Sequence, residues 1–332
     1  MRLPPFQYLA PRTTEEALEI MSRYKGKVRI IAGGTDIMNL LRHRLLTPPY
    51  VMSLKGVAGL TGVKKTRGAL VIAAGTTLRN IAGAPEVRGS FAAIAQSAGL
   101  VAAPPIQNIA TIGGNLLQGT RCLFYNQSEL VRGASPPCLK QGGKVCAAVK
   151  GSKRCFSVYQ GDMAPSLIAF DASAVLKRSG GSRTVPVDTL FSGHGTRPFS
   201  LRDDEMLTDI IIPLPRGVYG SSYQKLRLRS GLEYPLISSS VFVGLSKKGV
   251  IDRASIVIGA AGPLPLVVEK AAASLIGRKP DDVDVEGAAG HALRVARLVD
   301  NLALPGLYRK KMTEVFAKRA IETALAGLEV GA

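Results

Sequence analysis

The apolar positions change period along the chain, and each change marks an element. In TTEEALEIMSRY, Ala17, Leu18 and Met21 fall at helical intervals behind Thr13 and Glu16, which have capping-box spacing, and a helix is predicted. KVRIIAGGTDIMNLLRHRLL reads as strand, turn and helix. The run Val28 to Ile31 stops at Gly33 and Gly34, Thr35 and Asp36 are possible caps, and a helix starts near Ile37. PPIQNIATIGGNLL carries a second glycine pair, Gly113 and Gly114, with Thr111 and Asn115 beside it as hydrogen-bonding side chains.

Further on the pattern becomes β-rich. LIAFDASAVLKRSGGSRTVPVDTLF alternates like a hairpin around Ser179 to Gly181, and MLTDIIIPLP reads as a buried strand closed by Pro213 and Pro215. A domain boundary is expected near Arg216 and Gly217. Beyond it, SSYQKLRLRS and PLISSSVFVGLSKKGVIDRASIVIGAAG predict three strands, and helical composition runs from Val268 to Leu328. No internal repeat is visible.

Composition sets the outer limits. The 332 residues exceed what one core usually organises, 46% are apolar, and no apolar run reaches the length of a membrane helix. The opening MRLPPFQYLAPRTTEEA lacks the basic-then-apolar layout of a secretory leader, so a soluble, cytoplasmic protein is expected. The net charge of +19 invites acidic partners. Nucleic acid is disfavoured, because there is no Trp, aromatics are 5%, and no stacking platform or recognition helix accompanies the charge.

All four cysteines, Cys122, Cys138, Cys146 and Cys155, sit in one glycine- and lysine-rich stretch, separated by 15, 7 and 8 residues. In a reducing compartment such a set points to a metal rather than to disulfides. The spacing is no standard ferredoxin run. Cysteine-only ligands suit an iron–sulfur cluster or zinc, and unligated buried thiols are a third reading. His43, His194 and His291 are widely separated and are expected to be surface or core residues. No hydrolase triad or zinc-hydrolase motif is present.

A glycine turn between strand and helix exposes backbone N–H groups where a phosphate fits, and two such turns could converge on a pyrophosphate. Neither turn matches G-x-G-x-x-G, which argues against a Rossmann site.

The motifs AGGTD (Ala32 to Asp36), NIATIGGN (Asn108 to Asn115), GDMAPSLIAFDA (Gly161 to Ala172) and YQKLRLR (Tyr223 to Arg229) resemble the FAD-binding subunits of the xanthine dehydrogenase family of molybdenum hydroxylases. The likeness runs along nearly the whole chain. It implies an α+β fold: a two-part FAD-binding domain of the vanillyl-alcohol-oxidase-like type over 1–216, divided into 1–57 and 58–216, then a C-terminal α+β domain over 217–332 with a three-stranded antiparallel sheet and helices. It further implies that Arg29, Ile30, Ile31, Ala32, Gly33, Gly34, Thr35 and Asp36, with Thr111, Ile112, Gly113, Gly114 and Asn115, hold FAD. Additional flavin contacts are implied at Val101, Asp162, Leu207 and Lys225. Gln107 departs from the arginine often found before the asparagine, which removes a charge contact there.

Most family members lack the cysteine segment, here an insertion over 120–160. Within the family, flavin subunits of the 4-hydroxybenzoyl-CoA reductase type are similar in carrying a [4Fe–4S] cluster on such an insertion, which implies the four cysteines as its ligands. The expected partners are a large molybdopterin subunit and a small subunit with two [2Fe–2S] clusters, in a dimer of heterotrimers. The chain itself would carry electrons, with no catalytic residue of its own, toward reductive dehydroxylation on another subunit. Between Arg121 and Cys155 seven basic residues face Glu129 alone, and this charge is expected to steer an acidic ferredoxin, with Lys140 and Lys144 among the steering groups. Two rivals stand beside this reading: a xanthine-, aldehyde- or CO-oxidising flavin subunit with a structural zinc loop, and a basic, FAD-free binding protein.

Overall fold

The structure, a computed structural model, describes residues 2–330. Helix α1 (Thr14–Arg23) opens as its capping pattern predicts. The Thr13 hydroxyl accepts from the Glu16 amide at 3.1 Å, while the Glu16 carboxylate accepts from the Arg12 amide at 2.7 Å, one residue before the usual partner. Its apolar face, Ala17, Leu18 and Met21, is buried. Strands β1 (Gln7–Leu9), β2 (Val28–Ile31) and β3 (Tyr50–Ser53) form a parallel sheet in the order β1-β3-β2, with the short helix α2 (Ile37–Arg42) carrying the chain from β2 toward β3. This parallel unit delivers the first glycine turn at the end of β2.

The second glycine turn rides on a different scaffold. A five-stranded antiparallel sheet runs in the order β4 (Val63–Lys65), β5 (Ala69–Ala73), β8 (Met206–Pro213), β6 (Ser173–Arg178) and β7 (Gly181–Pro186). The predicted hairpin is β6–β7, turning at Gly180 with φ +79°. Its expected lead-in is helical instead: Met163–Ala169 forms a fully buried helix, because a short apolar run such as LIAF does not by itself distinguish strand from helix. That helix, the helices Leu78–Gly83 and Ala92–Gly99, and one sheet face enclose a core containing Leu70, Ile72, Ile94, Leu167 and Ile210.

The three strands expected near the C-terminus are present as β9 (Val218–Leu226), β10 (Ile237–Leu245) and β11 (Ile251–Gly259), paired antiparallel. Two-residue strands, Leu266–Val267 and Glu329–Val330, extend the sheet to five. Such short edges carry too little pattern to be seen in sequence. The helix Gly306–Ala326 lays Phe316, Ala317, Ala320 and Ile321 onto this sheet and builds a separate core with Val241, Ile256 and Ile258. Among the described residues no helix is long and apolar enough to cross a membrane.

Candidate functional site

A cavity of about 550 Å3, within the usual size range of ligand clefts, lies where the two glycine turns meet. Ala32, Gly33, Gly34, Thr35 and Asp36 line one side, Thr111, Gly113, Gly114 and Asn115 another. The turns touch directly. A methyl group on Gly33 would collide with the Ile109 carbonyl and meet the Ala110 Cα at 3.0 Å, so the first turn packs against the backbone leading into the second only because it lacks a side chain. Gly34 sits at φ +73°. Gly113 packs on Ala74 and its amide donates to the Ala74 carbonyl at 2.8 Å, whereas a Cβ on Gly114 would meet nothing but the Thr111 hydroxyl, 3.1 Å away. That hydroxyl accepts from the Gly114 amide at the start of the short helix Ile112–Leu116.

The other walls come from distant parts of the chain. Of the other residues expected at the flavin, Ile30, Val101, Asp162 and Leu207 line the cavity, and Arg29, Ile31, Ile112 and Lys225 do not. Arg29 is exposed and bonds to its neighbour's carbonyl, and Ile112 is fully buried in the core. Lys225 lies behind Asp162, its ammonium 2.8 Å from Asp162 Oδ1. Burial pushes the Asp162 carboxyl above the ordinary aspartate range, against the pull of Lys225 and of the Tyr223 hydroxyl, which donates to the same oxygen at 2.7 Å. Gln107, where an arginine was expected, is buried; its amide donates to the Gly99 and Val101 carbonyls, each at 2.9 Å, and so fixes the Val101 backbone. Among the wall residues that sequence reasoning missed are Gly75, Leu232, Glu233 and Tyr234. AAGTT after β5 repeats the strand-glycine-threonine signal of the first turn and could have revealed Gly75. Nothing in SGLEYP marks the other three.

The four cysteines converge. All line a second, small cavity together with Phe124, Tyr125, Leu139, Lys140, Ala147, Ala148 and Ser157. None is in a disulfide, three are buried, and Cys155 is partly so. Local turns place them: the Asn126 side chain accepts from the Cys122 amide at 2.9 Å, the Cys146 amide donates to Ser152 at 2.7 Å, and Cys138 begins a 3-10 turn over Leu139–Gln141 that ends at Gly142, φ +85°. Burial, and then the neighbouring Cys155 and Cys146, push the Cys122 thiol up. Among the described residues no three His, Cys, Asp or Glu side chains stand at metal-ligand separation, so the sulfurs share a cavity without closing on a point. The donor set is all sulfur, which suits a thiophilic metal or cluster.

Lys140 corrects an expectation. It does not present its charge to solvent but turns inward, donating to the Thr120 carbonyl at 2.8 Å and hydroxyl at 2.7 Å, and burial lowers it to about 8. Lys144, Lys150, Lys153 and Arg154 are exposed. None of the three histidines lines either cavity.

Residues 4–215 match the family model described as the FAD binding domain in molybdopterin dehydrogenase, and residues 221–324 match the CO dehydrogenase flavoprotein C-terminal domain. The chain is 28% identical to the nicotinate dehydrogenase FAD-subunit of Eubacterium barkeri over 82% of its own length and 80% of that protein's. It is 24% identical to the carbon monoxide dehydrogenase medium chain of Hydrogenophaga pseudoflava, over 97% and 98%. The solved carbon monoxide dehydrogenase from Hydrogenophaga pseudoflava superposes with a TM-score of 0.81 at 24% identity, covering 99% of this chain and 100% of that one, and so shares its fold. With both family models matched in series and the two glycine turns meeting at one cleft, the chain belongs to the FAD-binding medium subunits of the molybdenum hydroxylases.

Proposed function

We propose that this chain is the flavin-carrying electron-transfer subunit of a molybdenum-hydroxylase-type dehydrogenase. The observation that carries the proposal is the cavity built from both glycine turns. Its bare main chain at Gly33, Gly34 and Gly114 suits close approach of a pyrophosphate, while Asp162, Val101 and Leu207 would hold the remainder of FAD. Bound there, FAD supplies one- and two-electron exchange. The chain's own residues bind and orient it, and the substrate is handled elsewhere. The partners are a large molybdopterin subunit and a small subunit with two [2Fe–2S] clusters, in a dimer of heterotrimers located in the cytoplasm. A domain boundary at 216/217 fits the gap between the two matched segments.

The relatives named above are dehydrogenases, which favours oxidation of a substrate over the 4-hydroxybenzoyl-CoA reduction expected from the cysteine segment. That reductive reading keeps one specific support: four thiols facing one cavity. In it, Cys122, Cys138, Cys146 and Cys155 would hold a [4Fe–4S] cluster, which would supply one-electron exchange with an acidic ferredoxin. In the oxidative reading the same thiolates hold a structural zinc.

Purification with the partner chains, followed by flavin spectra, metal analysis and low-temperature EPR after reduction, tests both. One FAD per chain is expected; a fully folded complex from which no flavin is released on denaturation overturns the proposal. About eight irons per heterotrimer, four beyond those of the two [2Fe–2S] clusters, with an additional reducible signal favour the cluster, and about four irons with one zinc favour the structural loop.

A further inference from the structure

The cysteine insertion reaches the flavin cavity through Arg121, the residue before Cys122. Its guanidinium is paired with the Asp36 carboxylate, lies 5.2 Å from the centroid of the Tyr234 ring, and donates to the Tyr234 hydroxyl at 3.4 Å. Asp36 and Tyr234 are both cavity wall, on segments almost two hundred residues apart. The Arg121 side chain is 11% exposed. Its main chain pairs in both directions with Val158, four residues before Asp162, so it has a rigid base.

A second arginine of the insertion holds the other end of α2. Arg132 donates to the His43 carbonyl at 3.0 Å and to the Arg44 carbonyl at 3.2 Å, just past the last turn of that helix, and Glu129 pairs with the Arg44 side chain at 3.4 Å. Asp36 caps α2 at its N-terminus without any side-chain hydrogen bond to it. Its carboxylate is therefore committed to the insertion and not to its own helix. Left unpaired, a carboxylate in the wall of a pyrophosphate cradle would repel the ligand, the more so at low local dielectric.

We propose that Arg121 is a positioning residue of the flavin site: it neutralises Asp36 and pins Tyr234, so that the cysteine insertion sets the affinity for FAD. This rests on the assignment of the large cavity to FAD. The insertion is then a wall support of the flavin site, in addition to whatever its thiols hold.

The test is FAD titration of the flavin-stripped full chain, read by flavin fluorescence. Arg121→Ala is expected to raise Kd about tenfold or more, within the range of ordinary site-to-site coupling. Adding Asp36→Asn to it should recover most of the loss, because the charge that needed neutralising is gone. A merely structural role for Arg121 would lower the urea unfolding midpoint of Arg121→Ala in step with its affinity, so the loss of affinity must appear in protein whose midpoint stays near the wild-type value. Arg253→Ala, an exposed arginine over the Phe242 ring outside the cavity, is the control and should match the wild type. If Arg121→Ala does not fold, Arg121→Gln must show the loss and Asp36→Asn must relieve it. Wild-type affinity in the arginine variants, or a double variant as weak as the single, overturns the role of Arg121 alone. A folded wild-type chain that takes up no FAD overturns the cavity assignment and this role together.

Discussion

Asp162 and Lys225 form a buried ion pair, 2.8 Å apart with side chains 3% and 1% exposed, that joins the segment after the insertion to strand β9 of the C-terminal sheet. Lys225 also donates to the Leu100 and Glu233 carbonyls at 3.0 Å, so one ammonium ties three segments behind the cavity. Removing either partner leaves an uncompensated charge, and Lys225→Met or Asp162→Asn should each destabilise the chain by about 3–5 kcal/mol. The double variant should recover part of this, since no lone charge remains. Urea unfolding gives the comparison. In Lys225→Met the Asp162 carboxyl, already raised by burial, loses its main attraction and rises further. The folded state then holds a proton that the unfolded state has released, so stability falls as pH rises above the ordinary aspartate range, and the deficit should shrink in acid. A deficit independent of pH would contradict this.

The two glycine turns should fail in different ways. A side chain on Gly33 meets the Ile109 backbone, so Gly33→Ala should part the turns and lower both melting temperature and flavin content. Gly114 faces the cavity, with only the Thr111 hydroxyl near. Gly114→Val should keep the fold within about 1–2 kcal/mol while losing FAD, because the bulk occupies ligand space. Equal flavin content in Gly114→Val and wild type would remove the pyrophosphate from this turn.

Asn301 pins the cysteine pocket from the C-terminal half. Its side-chain amide donates to the Phe156 carbonyl at 2.5 Å and its backbone carbonyl accepts from the Leu123 amide at 2.9 Å, positions adjacent to Cys155 and Cys122. Arg309, fully buried and lowered to about 10 by that burial, holds the Asn301 side-chain oxygen at 3.2 Å. Asn301→Ala should cost about 1–3 kcal/mol. It should also speed labelling of the thiols by a disulfide reagent in metal-free protein, with Cys122 and Cys155 affected before Cys138 and Cys146. Uniform acceleration at all four would indicate global loosening instead.

The sequence made the glycine turns legible because close approach at Gly33 excludes a side chain and a positive φ at Gly34 favours glycine. The cysteines were legible because four thiols in one segment are a compositional anomaly. Tyr234 and Glu233 were not, since a wall residue on an irregular loop carries no period and no turn chemistry. Lys140 was misread for a related reason: a lysine in a basic stretch defaults to the surface, and only the fold brings the Thr120 carbonyl and hydroxyl to its ammonium. Gln107 was seen as a missing charge, whereas its amide holds two backbone carbonyls.

Glu205 makes an acid-sensitive anchor for the cavity wall. It precedes Met206 and Leu207, which line the cavity, and its 2% exposed carboxylate accepts from Arg183 Nε at 2.7 Å, Arg183 Nη2 at 2.8 Å and the Arg202 amide at 2.9 Å. The Arg183 hydrogen bonds, foremost, hold its carboxyl below the usual glutamate range. A carboxylate depressed in the folded state contributes stability above its unfolded pKa and loses it as pH falls through the folded value. Stability should therefore decline below the unfolded glutamate pKa of about 4.3. Glu205→Gln should flatten that decline while lowering stability at neutral pH by about 1–2 kcal/mol, the low end for a charged pair because Arg183 is 39% exposed and screened. Guanidinium unfolding midpoints across pH 3 to 7 measure both effects, and parallel curves for variant and wild type would place the acid sensitivity on other carboxylates.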